Sequence, residues 1–178
     1  MNIFAVDFDP TIAAQSLVDS HVVKMILESA QLLSTAHRVV DGKMYLDKTK
    51  TGRQVKRWKL DDERESVLYA ATHISHPSAV WARASNNNYT WLYCHFCGLL
   101  SEYTYRYGKV HKCQSMQEWL QYPPHGIPVG YLTPVTPAMP DEYKVPGNSV
   151  ASYRNYYRGG KSRMFKWTKR EVPGWINA

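Results

Sequence analysis

The stretch Asp19-Ser-His-Val-Val-Lys-Met-Ile-Leu-Glu28-Ser-Ala-Gln31-Leu-Leu-Ser-Thr35-Ala-His-Arg-Val-Val40 decides the fold. Its apolar residues Val22, Val23, Ile26, Leu27, Ala30, Leu33 and Ala36 recur at three and four, the period of an α-helix with a broad buried face. Gly42 marks its stop. A second long helix is expected over Asn86 to Tyr107, where Tyr89, Leu92, Phe96, Leu99, Leu100 and Tyr103 form the core stripe and Gly108 takes the left-handed closing position. Upstream, Asp9 followed by Pro10 reads as a cap with proline in the first turn, so a helix starts at Pro10.

Between the long helices, Asp47 to Lys59 is polar and basic, the pattern of a loop or hairpin. Asp61 to Ile74 resumes a helical pattern with acids in its first turn, Pro77 breaks it, and Ser78 to Ala84 adds a turn or two. Past Gly108, Ser115 to Gln121 reads as a short helix. Seven prolines among the 25 residues 123–147 make residues 123–148 an extended, irregular segment, either a brace across the helices or a functional loop. Ser149 to Tyr157 is helical again, and residues 151–178 form a basic aromatic tail with Phe165, Trp167 and Trp175. The expected fold is mostly α: a compact single domain over residues 1–178, with an irregular Pro-rich segment and a basic C-terminal tail.

With 44% hydrophobic and 21% charged residues, the 178-residue chain has a globular composition and is neither collagen-like nor disordered. The net charge of +7 is uneven. Lys48 to Lys59 holds six basic residues and no acid, and Ala151 to Ala178 holds seven basic residues and one acid, so the rest sums to −5. An acidic body with two cationic strips fits a polyanionic partner. Three cysteines without a leading signal peptide point to a reducing compartment, and no apolar run is long enough to span a membrane. A soluble cytoplasmic protein is expected.

His21, Lys24, Glu28, Gln31 and Thr35 line one polar stripe of the first long helix, which core packing does not require. Lys24 and Glu28, four apart, either form an ordinary intrahelical ion pair or supply an amine and an acid to one site. Cys94, Cys97, His111 and Cys113 offer soft ligands, but the C-x-x-C lies mid-helix among apolar neighbours and reads as buried packing, so no metal and no cofactor are expected. Arg83 and Asn87 are candidate substrate contacts because their polarity has no evident packing purpose. Lys56, Arg57, Arg154, Arg158 and Lys161 are candidates to hold a nucleic-acid backbone, the last three among tyrosines suited to stacking on bases.

Asp19-Ser-His21 with Glu28 seven residues on, His76-Pro77, the run Glu102-Tyr-Thr-Tyr-Arg106-Tyr-Gly108 and the segment Tyr153 to Gly160 together resemble the bacteriophage endonuclease V type of pyrimidine dimer DNA glycosylase. The blocks are scattered over half the chain. The resemblance implies a DNA-acting enzyme in which a helical carboxylate assists glycosidic cleavage, a role that falls to Glu28, with His21 beside it. It also implies attack by an N-terminal α-amine. The chain departs there: Asn2 is large enough that Met1 is expected to stay, which leaves the Met1 amine, Lys24 or water as the attacking group. The neighbouring carboxylate, by favouring the ammonium form of Lys24, suits that lysine to orienting Glu28 or holding a phosphate. The expected partner is double-stranded DNA with a flipped, damaged or modified pyrimidine, and, for a phage-encoded protein, the compartment is the host cytoplasm. The alternatives are a non-catalytic nucleic-acid-binding protein on the same fold and an enzyme modifying a DNA base or a free nucleotide.

Overall fold

Asp19–Asp41 and Asn86–Tyr107 form the two long helices of the computed structural model, which describes residues 1–177. Ala178, the last residue of the expected tail, lies outside the described residues. In chain order the elements are α1 (Pro10–Gln15), α2 (Asp19–Asp41), β1 (Lys43–Lys48), β2 (Gln54–Lys59), α3 (Arg64–Val67), α4 (Pro77–Ala82), α5 (Asn86–Tyr107) and α6 (Ser149–Gly160). The fold is mostly α, with one two-stranded sheet among the described residues.

Local chemistry sets the ends of these helices. The Asp9 carboxylate accepts the Thr11 and Ile12 amides at 2.8 and 2.9 Å, and Pro10 occupies the first turn of α1. Ser85 accepts the Asn88 amide at the start of α5, and Gly108 closes that helix at φ 64°. The periodic stripes then meet: Ile26, Leu33, Leu92, Phe96 and Leu99 are fully buried between α2 and α5, each stabilising the fold by about 2 kcal/mol relative to exposure. Gly98 lets α1 close on α5, since a Cβ there would sit 3.0 Å from Cβ of Ala14.

The start of α2 has no side-chain cap of its own. It is anchored instead by the fully buried Arg106, which donates to Asp19 and to the Leu17 carbonyl at 2.9 Å, to the Gln15 carbonyl at 2.9 Å and to Glu102 at 2.8 Å. Glu102 also accepts two bonds from Arg170, and Asp19 accepts the amide and hydroxyl of Thr168. Burial pushes the Asp19 carboxyl up, but Thr168 and Arg106 together outweigh it and hold it below its ordinary value.

Where α2 ends, Gly42 is required because a Cβ would collide with the Arg38 carbonyl. The chain leaves as the antiparallel hairpin β1–β2, turning through Thr49–Gly52 with Gly52 at φ 81°. The helix expected over Asp61 to Ile74 is corrected to the single turn α3. Arg38 is the reason. Its guanidinium gathers the carbonyls of Trp58, Glu65, Leu68 and Tyr69 together with the Glu65 carboxylate, so those carbonyls are turned towards a side chain rather than up a helix. The helix expected over Ser115 to Gln121 is likewise replaced by a 3-10 turn at Lys112–Met116.

From residue 123 to Asn148 the chain has no regular element except the 3-10 turn Asp141–Tyr143. It is laced to the helices by side chains: Asn86 and Asn87 to Gly130, Asn88 to Thr133, Ser85 to Tyr131, Trp81 to Thr133, and Asp41 to the amides of His125 and Gly126. Beyond α6, Trp167 donates to the Ser16 carbonyl and Trp175 packs on Tyr157.

Candidate functional site

The N-terminal residues Ile3 to Val6 run buried through the molecule, with Phe4 held at φ 56°, a conformation that costs a non-glycine residue of order 1 kcal/mol. The Phe4 ring stacks on His21 at 4.3 Å and on Tyr156 at 6.1 Å between centroids. This strained corner brings the chain start against the middle of α2. The result is a small polar pocket of about 180 Å3 lined by Met1, Asn2, Phe4, His21, Lys24, Met25, Glu28, Tyr156 and Lys161.

Glu28 is its central group. One carboxylate oxygen accepts the Asn2 backbone amide at 2.8 Å, and the other lies 3.4 Å from the Lys24 ammonium. The Glu28 side chain is 12% exposed while that of Lys24 is 67% exposed, so the carboxylate sits in the pocket and the amine at its mouth. Lys161 closes the opposite side, its ammonium 4.6 Å from the Tyr156 ring centroid and 5.9 Å from that of Phe4. Val23 and Leu27 flank Lys24 in sequence on α2 and are exposed.

His21 is buried with Nδ1 2.6 Å from the Tyr157 hydroxyl. Burial, reinforced by Lys161 and Lys24, lowers its pKa to about 4. At neutral pH it is an uncharged imidazole that positions the pocket wall and offers a hydrogen bond, not an imidazolium. His76, preceding α4, accepts the Ser78 amide on Nδ1 at 3.2 Å, which places its proton on Nε2. Burial, the N-terminal ammonium and His73 lower its pKa, while Glu28 opposes them, so the field of the pocket reaches this ring.

No family model, curated protein or solved structure matches the chain. The site is therefore read from its own residues.

Of the residues singled out in the sequence, His21, Lys24, Glu28 and Lys161 converge on the pocket. Gln31, one turn beyond Glu28, is partly exposed and is not among the lining residues. Thr35 is buried against the backbone of Thr72. Arg83 and Asn87 have packing purposes after all: Arg83 donates to the carbonyls of Ala79 and Ile74, and Asn87 donates to the Gly130 carbonyl. Arg154 is bound to the Val6 carbonyl and Asp7, and Arg158 to the Trp175 carbonyl and Asn155. Arg57 pairs with Asp47 at 2.8 Å on the hairpin, where Lys56 is exposed.

Asp19, Glu102 and Arg106, quoted with the motif blocks, belong to the buried anchor of α2. Cys97 and Cys113 contact Gln117 and Tyr69 respectively, and among the described residues no group of three or more His, Cys, Asp or Glu side chains is placed to hold a metal. No helix of the described residues is long and apolar enough to cross a membrane. The sequence alone did not bring Asn2, Phe4 or Tyr156 to the side of Glu28, and it offered His76 only within a motif block. Only His76-Pro77 left a local mark, as a cap ahead of a proline.

Proposed function

We propose that this chain is a DNA-acting enzyme of the glycosylase type, which takes a damaged or modified pyrimidine nucleotide and breaks its glycosidic bond with Glu28 as the key carboxylate. The observation that carries this reading is the Glu28 carboxylate, 12% exposed in a pocket that also presents the Asn2 amide and the ammonium groups of Lys24 and Lys161. Its about 180 Å3 is smaller than the roughly 300–1,000 Å3 of whole-ligand pockets, so a substrate places only its reacting part there. That suits a nucleotide swung out of a duplex, with its phosphates left outside.

In this reaction the bond from C1′ to the base nitrogen breaks, the electron pair leaves with the base, and positive charge develops on the sugar. A fixed carboxylate in a partly dry pocket stabilises that charge. Lys24 and Lys161 supply cations for the flanking phosphates. Attack on C1′ then comes either from water or from an amine. In the second case the amine bonds C1′ and gives up a proton, and breaking the C1′–O4′ bond opens the ring to a Schiff base, with O4′ taking a proton to become a hydroxyl. Lys24 is the side-chain amine beside Glu28. The Asn2 nitrogen is nearer, at 2.8 Å, but as a peptide amide it is a donor and not a nucleophile; hydrolysis of the Met1–Asn2 bond would turn it into one.

Borohydride trapping on ultraviolet-irradiated DNA and on DNA containing 5-substituted pyrimidines, with intact mass of the protein, tests the proposal. Trapping lost in Lys24→Ala identifies the lysine. Trapping retained in Lys24→Ala identifies the N-terminal amine, that of Asn2 where the intact mass lacks Met1 and that of Met1 where it does not. Base release without trapping identifies water. Neither release nor trapping on any of these substrates overturns the proposal.

A further inference from the structure

Resting on the DNA-directed function proposed above, we infer that the hairpin β1–β2 is a major-groove reader, entering duplex DNA about six base pairs from the nucleotide held at Glu28. The register pairs Met44 with Trp58, Leu46 with Lys56 and Lys48 with Gln54, so these six residues share one face. Lys43, Tyr45, Asp47, Val55, Arg57 and Lys59 share the other. The single acid of the hairpin, Asp47, lies on the second face in an ion pair with Arg57. The first face has no acid.

That first face is open. Met44 and Leu46 are 51% and 61% exposed, and Lys48, Gln54 and Lys56 are exposed around them. Lysines on edge strands are a common guard against unwanted strand pairing, which accounts for Lys48 and Lys56. It does not account for Met44 and Leu46, since such protection removes exposed apolar residues from an edge. Aliphatic side chains ringed by lysine and glutamine do match the floor of a major groove. Lysine bonds guanine O6 and N7, glutamine bonds adenine N6 and N7, and apolar groups meet thymine methyls. A two-stranded ribbon has the width that groove admits. Lys50 and Arg53, exposed at the turn, lie where a ribbon in the groove meets phosphates.

The hairpin's root fixes where it reaches. Gly42 follows Glu28 by 14 residues, about 21 Å along α2 and about 40° short of four full turns, so the ribbon leaves from nearly the same side of the helix as the carboxylate. At 3.4 Å per base pair, about 21 Å corresponds to about six base pairs. The root is held by Arg38 on the Trp58 carbonyl and by Glu65 on the Leu60 amide, leaving the outer part of the ribbon clear of the core.

The test uses the full chain and a 30-base-pair duplex carrying one tetrahydrofuran abasic analogue, with the matching single strand and a duplex RNA as comparisons. The variants are Lys50→Ala/Arg53→Ala, Lys48→Ala/Lys56→Ala, Met44→Ser/Leu46→Ser and, as a charge-matched control for the first two, Lys109→Ala/Lys112→Ala. All should retain the wild-type circular dichroism and melting temperature, because none touches the core. The salt slope of duplex binding should fall by about 2 in Lys50→Ala/Arg53→Ala, at about 0.9 per lost phosphate contact, and not in the control. Wild type should protect guanine N7 from dimethyl sulfate about six base pairs to one side of the analogue. Lys48→Ala/Lys56→Ala should lose that protection while still binding, and Met44→Ser/Leu46→Ser should weaken it.

Wild-type binding and base release with unchanged slopes and no N7 protection would overturn the ribbon alone. Equal losses on single strand or RNA would also overturn it, since neither offers that groove. Failure of wild type to bind the duplex at all removes both the ribbon and the function on which it rests.

Discussion

Arg106→Met should cost about 3 kcal/mol of folding stability, and the number follows from what each partner keeps. Wild-type Arg106 is fully buried and donates to two carboxylates and two backbone carbonyls. Removing one member of a buried ion pair generally costs about 3–5 kcal/mol, because the other charge stays buried without compensation. Here Glu102 keeps both bonds from Arg170 at 2.9 Å, and Asp19 keeps the Thr168 amide and hydroxyl at 2.9 and 2.7 Å. The loss therefore falls at the lower end of that range, with methionine refilling much of the volume. At a urea slope of about 2 kcal/mol per molar, the midpoint should drop by about 1.5 M with no change in slope. Urea unfolding followed by tryptophan fluorescence measures this. A midpoint within about 0.3 M of wild type would refute the assignment of this arginine as the anchor of α2. Because Glu28 lies nine residues beyond Asp19 along α2, the folded fraction of the variant should still act on DNA.

Three further outcomes are expected. His21, His37 and His95 are all buried with pKa values of about 4, so the unfolded chain takes up their protons first. Their contribution is complete above about pH 6.5 and is lost as pH falls towards 4, each accounting for about 3 kcal/mol. His21→Asn, which keeps an acceptor for Tyr157, should flatten urea-derived stability over that window by about that amount; an unaltered pH profile would count against a neutral buried His21. Asn88→Ala removes bonds to Trp81 and Thr133 and should speed proteolytic cleavage of residues 123–135, read by timed digestion and mass spectrometry. Gly42→Ala should destabilise the fold by about 1–3 kcal/mol, since the Arg38 carbonyl leaves no room for a Cβ; thermal melting gives the value.

The long helices were legible because their signals are local. Gly108 marks the end of α5 within one turn, as Asp9-Pro10 marks the start of the short α1, and the stripes of α2 and α5 repeat often enough to show their period. The stretch Asp61 to Ile74 misled because its structure is set by Arg38, more than twenty residues away, which no local pattern displays. The partners of Asn87 and Arg154 are hidden in the same way, whereas those of Arg83 lie only four and nine residues back. Each looked unoccupied in sequence and each is bound to a backbone carbonyl, Asn87 and Arg154 to carbonyls far along the chain. For the candidate site, spacing on α2 was enough to place Lys24 and Glu28 together. The groups that close the pocket come from residues 1–4, 156 and 161, and only tertiary packing, through the strained turn at Phe4, delivers them.

The most direct test of the central claim is single-turnover base release by wild type and Glu28→Gln on duplex DNA bearing a damaged or modified pyrimidine. Glutamine retains the shape and an acceptor for the Asn2 amide, and the mutation gives up only a solvent-facing ion pair with Lys24, so the melting temperature should move little. The rate should fall about 10²- to 10³-fold, the scale of removing one preorganised electrostatic partner from a transition state. A Glu28→Gln protein that releases base at the wild-type rate would contradict the account.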